Sequence, residues 1–148
     1  MKIKRIAVEE AFVTEAIASE WKQVLASKFV EPGFRMMGQT ILGDDPGARM
    51  VHSRLIDVGA GRIAQMDVDG IDVAVLSITS PGVQVFDAVT ATRLAKDAND
   101  VLAEAVRTNP TRLAGLAAVA PQYPTGAAQE LERAIQNLGM KGFLINSH

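Results

Sequence analysis

The stretch at residues 71–78, IDVAVLSI, decides the fold class of this protein. It is an almost uninterrupted run of apolar strand formers, which is typical of a strand covered on both faces. Three other short apolar runs, at residues 4–8, 113–119 and 141–146, also predict buried strands. The segments between these four strands then decide whether the strands run parallel.

Helices are predicted between the strands. Apolar residues recur at helical spacing in residues 15–27, from residue 54 to Gly70, in residues 88–108 and in residues 125–138. The single tryptophan, Trp21, lies on the apolar stripe of the first helix and is predicted to be a core residue. No Asn-Gly hairpin signal joins the strands, so we expect parallel strands connected by helical crossovers.

This α/β pattern is compatible with two architectures, a doubly wound open sheet and a (β/α)8 barrel. No GxGxxG fingerprint follows the first strand, which argues against dinucleotide binding. Residues 29–47 contain glycines, prolines and aspartates without helical or strand periodicity. They predict an irregular insertion after the first strand, and loops of this length tend to be functional or mobile.

The composition excludes several classes of function. The chain has 148 residues, of which 48% are hydrophobic, which is ample for one domain with a core. The net charge is -2 and the basic residues are scattered, so neither nucleic acid nor a membrane surface is an expected partner. The chain has no cysteine and no apolar run of about 18 residues. We therefore expect a soluble, cytoplasmic protein that binds a small molecule or another chain.

The carboxyl ends of the four strands are the places to look for chemistry, because active sites of parallel α/β folds lie there. These ends read EEAF (9–12), TSPGVQ (79–84), APQYP (120–124) and NSH (146–148). Three of the four are polar or turn-forming in ways that suit a ligand site.

Two adjacent carboxylates, Glu9 and Glu10, follow the first strand. Neighbouring side chains of a strand point to opposite faces, so one carboxylate should face inward and the other outward. A buried, unpaired carboxylate is costly and needs a cation or a hydrogen-bonded partner. A bound divalent metal would satisfy it, and so would an arginine or a helix cap.

Three other residues, Arg49, Thr79 and His148, are candidates for a binding site. Arg49 ends the predicted insertion, where its guanidinium could hold a substrate carboxylate in a bidentate fork. Thr79 lies in the turn after the second predicted strand and could donate a hydrogen bond to a substrate. His148 lies at the fourth strand end and is a candidate ligand-binding residue. His52 precedes a predicted helix and is most simply a solvent-exposed or interface residue.

Taken in order, five motifs resemble the amino-terminal part of metal-dependent aromatic-acid decarboxylases in the amidohydrolase superfamily, amidohydrolase 2 group. The motifs are IAVEEAF, RLIDVGAGRIAQMDVDGID, LSITSPGVQ, ANDVLAEAVRTNPTRLAGLAAVAPQYP and LGMKGFLINSH. This group includes the γ-resorcylate, 2,3-dihydroxybenzoate and 5-carboxyvanillate decarboxylases, and TSPGVQ and INSH look most like the last. The resemblance implies that residues 1–148 are the amino-terminal portion of a single barrel domain, the first four β/α units of a (β/α)8 TIM-type barrel. That barrel holds one divalent metal ion, zinc or manganese.

The resemblance also implies roles for individual residues. Glu9 would be a metal ligand, Arg49 would grip the substrate carboxylate, and Thr79 would line the substrate pocket. His148 is predicted to bind substrate, although it does not match a family metal ligand. Some relatives have a further histidine ligand at the position of Ala11, so fewer protein ligands are expected here. The remaining ligands and the catalytic acid belong to strands that this chain lacks.

The implied reaction is the non-oxidative decarboxylation of an ortho-hydroxy aromatic acid by a carbon–carbon lyase without an organic cofactor. Relatives are homodimers or homotetramers, so the same is expected here. Four strands cannot close a barrel of eight, and we expect this chain alone to be an inactive piece of a longer enzyme. Two alternatives are a metal-dependent hydrolase or hydratase of the same superfamily and a non-catalytic α/β module that assembles through its exposed edges.

Overall fold

A computed structural model describes residues 3–146 as an α/β fold. Its strands are β1 (Ile6–Phe12), β2 (Val73–Ile78), β3 (Leu113–Gly115), β4 (Ala117–Ala118) and β5 (Phe143–Leu144). Its helices are α1 (Glu15–Leu25), α2 (Pro32–Leu42), α3 (Pro46–Ile56), α4 (Ala60–Asp69), α5 (Ala88–Thr108) and α6 (Pro124–Gln136). Within this part of the chain, no helix combines the length and apolar composition that a membrane crossing requires.

The strands form two hydrogen-bonded groups, β1-β2-β3 and β4-β5, and in each group the order in space is the order in the chain. β2 is parallel to β1 on one side and to β3 on the other, and β4 is parallel to β5. Only Leu116 separates β3 from β4, and its N–H donates to the carbonyl of Leu76 at 2.8 Å. A doubly wound sheet would reverse its strand order at a switch point, whereas a barrel adds each strand beside the previous one. The observed order is that of a barrel.

Local sequence signals set most of the helix boundaries. Thr14 caps α1 by accepting a hydrogen bond from the N–H of Ile17 at 3.3 Å, and Asp87 caps α5 in the same way. α4 ends at Gly70, whose left-handed conformation (φ 69°) is accessible to glycine without strain. The predicted bounds of α5 and the predicted end of α4 are both confirmed.

The core lies between the sheet and the helices on one of its faces. α5 carries buried residues at spacings of three and four, as expected for a helix that covers a sheet. Trp21 of α1 is 1% exposed and meets Phe34 of α2 edge to face, with ring centroids 6.3 Å apart. The prediction that Trp21 is a core residue is confirmed. The sheet and its two main covering helices contribute Phe12, Ala74, Leu76, Ile78, Ile17, Leu94, Ala98 and Leu102 to this core.

The predicted irregular insertion at residues 29–47 is wrong, because most of it is helical. α2 begins at Pro32 and α3 at Pro46, and proline is well tolerated in the first helical turn, where its missing N–H costs no hydrogen bond. Glu31 and Asp45 precede these prolines, and their carboxylates accept hydrogen bonds from the first free N–H groups. The same residues that resemble loop punctuation therefore begin two helices.

Other boundaries also differ from prediction. The single helix predicted from residue 54 is two helices, since α3 ends at Ile56 and α4 begins at Ala60. Asp57 makes this break by accepting a hydrogen bond from the N–H of Gly59 at 2.8 Å. β1 also lies later than predicted, at Ile6–Phe12, so Glu9 and Glu10 lie within the strand rather than after it. The strand predicted at residues 113–119 is divided into β3 and β4, and β5 is shorter than predicted, at Phe143–Leu144. α1 and α6 each end two residues earlier than predicted.

The second face of the sheet carries apolar side chains that are not covered in the described part of the chain. Ile6 and Val8 of β1 are 55% and 64% exposed, and Val73, which pairs with Ile6, is partly exposed. In a closed barrel, this inner face is filled by side chains from all eight strands.

Candidate active site

An irregularity in β1 places the two adjacent carboxylates. Ala7 pairs with Ala74, and Glu10 pairs with Leu76. Val8 and Glu9 therefore both lie opposite Val75, the single residue between Ala74 and Leu76 on β2. This is the geometry of a β-bulge, a feature that re-aims side chains and is common beside active sites.

Glu10 faces the helices and has an arginine partner. Its Oε2 lies 3.5 Å from Nη1 of Arg62 on α4. Arg62 also donates to the carbonyl oxygens of Ala11 and Asp57, each at 2.8 Å. Burial lowers the pKa of Arg62, and the charges of Glu10 and then Asp57 oppose that shift. The arginine-paired alternative therefore describes Glu10.

Glu9 projects from the opposite face of the sheet. It is exposed rather than buried, because no element within residues 3–146 covers this face, and it makes no ion pair or hydrogen bond with those residues. An unpaired carboxylate offers the hard oxygen donor that divalent metals accept, so Glu9 fits the role of one ligand. Within residues 3–146, no group of three or more His, Cys, Asp or Glu side chains is arranged to hold a metal ion.

Thr79 lies at the carboxyl end of β2, in a tight turn. Its N–H donates to the carbonyl of Phe12 and its carbonyl accepts from the N–H of Gly82, both at 2.9 Å. The peptide bond between Ser80 and Pro81 is cis. The turn predicted here is confirmed, and it brings Thr79 beside the end of β1.

Glu9 and Thr79 are not in contact. Glu9 lies opposite Val75, and Thr79 lies four residues further along β2, which corresponds to about 13 Å along the strand direction. Glu9 is the fourth of the seven residues of β1, so a ligand touching both residues would have to extend along the strand direction.

Arg49 and His52 belong to a different element, helix α3. Arg49 is exposed on α3, and its guanidinium donates to the carbonyl of Asp44. On the same helix, Nε2 of His52 lies 3.6 Å from Oε2 of Glu15, while its Nδ1 is buried without a partner among the described residues. His148 lies outside the described residues.

Sequence reasoning missed the side chains that hold the turn after β2. Trp21 Nε1–H donates to the carbonyl of Gly82 at 3.0 Å. Gln122 Nε2 donates to the carbonyls of Val83 and Phe86, both at 2.9 Å. These contacts join residues between 36 and 61 positions apart, which no local pattern indicates. The only sequence signal was the position of Gln122 in a strand end, APQYP.

A buried polar network fixes the position of β4. The Asn99 side chain of α5 donates to the carbonyl of Ala118 and accepts from its N–H, at 2.9 and 2.8 Å. Asn99 also donates to Glu130 of α6 at 2.7 Å, and Glu130 accepts two hydrogen bonds from Arg133. The hydrogen bonds that Arg133 donates to Glu130, and the one that it donates to Asp100, raise the pKa of Arg133 against the effect of burial. Every member of the network is satisfied, so it sets the position of β4 firmly.

Two clefts lie away from the candidate residues. A cleft of about 700 Å³ lies at the amino ends of the strands, lined by residues that include Arg5, Asp72 and Arg112. A second, of about 540 Å³, lies between β1 and helices α3 and α4, beside Glu10 and Arg62. Because catalytic residues of such folds lie at the carboxyl ends of the strands, neither volume marks the site.

Comparison with known proteins identifies the family. The amidohydrolase family model matches residues 46–148. The γ-resorcylate decarboxylase of Polaromonas sp. (strain JS666) is 38% identical over 143 residues, covering 96% of this chain and 38% of that protein. The γ-resorcylate decarboxylase of Rhizobium radiobacter is 42% identical over 94 residues, covering 63% of this chain and 29% of that protein.

Solved structures agree with the sequence relatives. The 5-carboxyvanillate decarboxylase of Novosphingobium aromaticivorans, complexed with manganese and 4-hydroxy-3-methoxy-5-nitrobenzoic acid, is 41% identical with a TM-score of 0.92, covering 98% of this chain and 42% of that chain. A dihydroxybenzoic acid decarboxylase of Polaromonas sp. JS666, with bound manganese and 2-nitroresorcinol, is 35% identical with a TM-score of 0.72. The match covers 99% of this chain and 39% of that chain.

The chain spans about two fifths of the length of these structural relatives and of the Polaromonas enzyme. The predicted α/β fold and the resemblance to aromatic-acid decarboxylases are both confirmed. The chain belongs to the amidohydrolase family, is similar to its aromatic-acid decarboxylases, and forms part of their (β/α)8 barrel.

Proposed function

We propose that the protein containing this chain is a carbon–carbon lyase that removes carbon dioxide, without oxidation, from an ortho-hydroxy aromatic acid. The observation that carries this proposal is that the two adjacent carboxylates at the β1 bulge have different surroundings. Arg62 pairs with Glu10, whereas Glu9 is left unpaired among the described residues, on the inner face of a barrel fragment. Similarity to decarboxylases that bind manganese and aromatic ligands supports the same assignment.

One divalent ion, manganese or zinc, is the cofactor in this proposal, with Glu9 as one of its ligands. When bound, the ion would supply a positive charge that orients the substrate and stabilises developing negative charge. Manganese in the related structures supports a divalent metal and leaves both ions as candidates.

The other candidate residues would bind and orient the acid. The exposed guanidinium of Arg49 can form a bidentate pair with a carboxylate, which would fix the direction of the bond to be broken. Thr79 would offer its hydroxyl to an oxygen of the substrate at the end of β2. His148 is the third proposed substrate-binding residue. No catalytic acid is assigned within this chain.

A homodimer or homotetramer in the cytoplasm completes the proposal. Size-exclusion chromatography with light scattering checks the oligomer, and the cytoplasmic location stays a prediction. That the 148-residue chain is inactive by itself also stays a prediction, which an assay of the isolated chain checks.

A hydrolase or hydratase of the same superfamily is the second candidate, since the matching family model is that of the amidohydrolases as a whole. A non-catalytic module is the third, and the uncovered inner face at Ile6 and Val8 is the observation in its favour.

The decisive experiment is a spectrophotometric assay of the protein that carries this chain, with hydroxybenzoates and 5-carboxyvanillate as substrates. We expect loss of the aromatic acid with release of carbon dioxide, abolished by EDTA and restored by Mn²⁺ or Zn²⁺. Hydrolysis or hydration of an acid without carbon dioxide release would favour the second candidate. A protein that binds no metal and turns over none of these acids would contradict the proposal.

A further inference from the structure

The turn after β2 is held by side chains from two other β/α units. We name residues 79–87, between β2 and α5, the β2–α5 loop. Within the loop, the N–H of Gly82 donates to the carbonyl of Thr79 at 2.9 Å, and the N–H of Phe86 donates to that of Val83 at 3.3 Å. Gln84, by contrast, has a buried Oε1 with no partner among the described residues. The loop's own contacts therefore leave part of its polar surface unsatisfied.

Trp21 fixes the middle of the β2–α5 loop from the first unit. Its indole Nε1–H donates to the carbonyl of Gly82 at 3.0 Å, and its ring is held in the core against Phe34. Gly82 has φ 66°, and a Cβ there would lie 2.4 Å from Oε1 of Gln84 and 2.6 Å from Nδ2 of Asn146. The loop therefore needs glycine at this point, and Trp21 satisfies its buried carbonyl.

Gln122 fixes the far end of the loop from the third unit. Its single amide nitrogen donates to the carbonyls of both Val83 and Phe86 at 2.9 Å. An amide nitrogen has two hydrogens, so both are used in bridging the loop. Gln122 follows β4, whose own position is set by Asn99.

We propose that Trp21 and Gln122 are positioning residues: they hold the β2–α5 loop, and thereby the hydroxyl of Thr79, in the geometry that binds an aromatic acid. This inference rests on the proposed function, because it takes Thr79 as a substrate-binding residue. The loop begins at Thr79, which hydrogen-bonds to Phe12 at the end of β1, so a displaced loop changes the spacing between two strand ends.

The test compares Gln122→Glu, Trp21→Phe and a matched control. Gln122→Glu keeps the shape of the side chain but removes both donors, and Trp21→Phe keeps a buried ring but removes the indole N–H. Arg112→Gln is the control, because Arg112 also donates to two backbone carbonyls beside β2, those of Ile71 and Asp72, but at the amino end of the strand.

In the protein that carries this chain, we expect Trp21→Phe to raise KM for the aromatic acid about 3- to 10-fold, the range for one lost hydrogen bond. Gln122→Glu loses two hydrogen bonds and should raise KM at least as much, and kcat should change less than about twofold in both variants. Arg112→Gln should lower the melting temperature and leave KM unchanged. Hydrogen exchange of the loop amides should become faster in the first two variants and not in the control.

The outcomes separate the two proposals. A wild-type protein without decarboxylase activity contradicts the proposed function. An active wild type whose KM and loop exchange are unchanged in Gln122→Glu and Trp21→Phe overturns the positioning role while the function stands. A rise in KM of equal size in Arg112→Gln also overturns it, because the effect would then reflect general destabilisation.

Discussion

At the scale of single residues, the two adjacent carboxylates of β1 have different surroundings and therefore different chemistry. Glu10 meets Arg62 on the helix side, and Glu9 meets no charged partner within residues 3–146. Strand alternation predicts that the two side chains diverge, and the bulge keeps Glu9 on the inner face beside Val8. The residue that lacks a partner is the one that is free to bind a cation.

Glu9→Gln should weaken metal binding by more than about 100-fold. Mutating a residue that only hydrogen-bonds to a metal ligand typically lowers metal affinity about 10–100-fold, and losing a ligand itself should cost more. Titration calorimetry with Mn²⁺ on the protein that carries this chain measures the affinity. Glu10→Gln is the matched control, since it removes a neighbouring charge of the same type that is paired with Arg62. Equal manganese affinity in Glu9→Gln and wild type would contradict the assignment of Glu9.

At the scale of elements, the ends of the helices are controlled by side chains that cap them. Asp87 accepts hydrogen bonds from the N–H groups of Val89 and Thr90 and from the Thr90 hydroxyl. The hydrogen bonds from Thr90 are the main cause of a lowered pKa of Asp87. Two prolines also mark helix ends, since α2 and α3 each begin with one. If every proline is taken as a loop signal, these two helices are not predicted.

The capping of α5 predicts a pH dependence. A carboxyl whose pKa is lower in the folded state contributes stability above its unfolded value, near pH 4, and this stability is lost as the pH falls further. Asp87→Asn can still cap the helix but cannot titrate, so its melting temperature should fall less than that of the wild type between pH 5 and pH 2.5. Melting curves that stay parallel across this range would contradict the role of Asp87.

At the scale of the whole molecule, the described chain is a barrel fragment in which one face of the sheet is covered by helices and the other is not. Helices cover one face of the sheet, while Ile6 and Val8 remain largely exposed on the other. The hydrogen-bond network of Asn99, Glu130 and Arg133 connects β4 to helices α5 and α6.

Asn99→Ala should destabilise the fold by about 2–4 kcal/mol, because the backbone of Ala118 and the buried Glu130 each lose a hydrogen-bond partner. Urea denaturation measures the change. Gln136→Ala is the control, since Gln136 also bonds to a glutamate of α6, Glu132 at 3.2 Å, but on the exposed side of the helix. A loss of stability no larger than that of the control would show that the network is dispensable.

The sequence alone determined the α/β class, most of the helices and the turn at Thr79 that follows β2. It did so because 3.6-residue periodicity, unbroken apolar strands and caps such as Thr14 are local properties of the chain. Only the tertiary structure decided that the strands lie in chain order, that Arg62 pairs with Glu10 rather than Glu9, and that Trp21 and Gln122 hold the β2–α5 loop. Each of these depends on contacts between residues that are far apart along the chain, and packing rather than local pattern determines which of them meet.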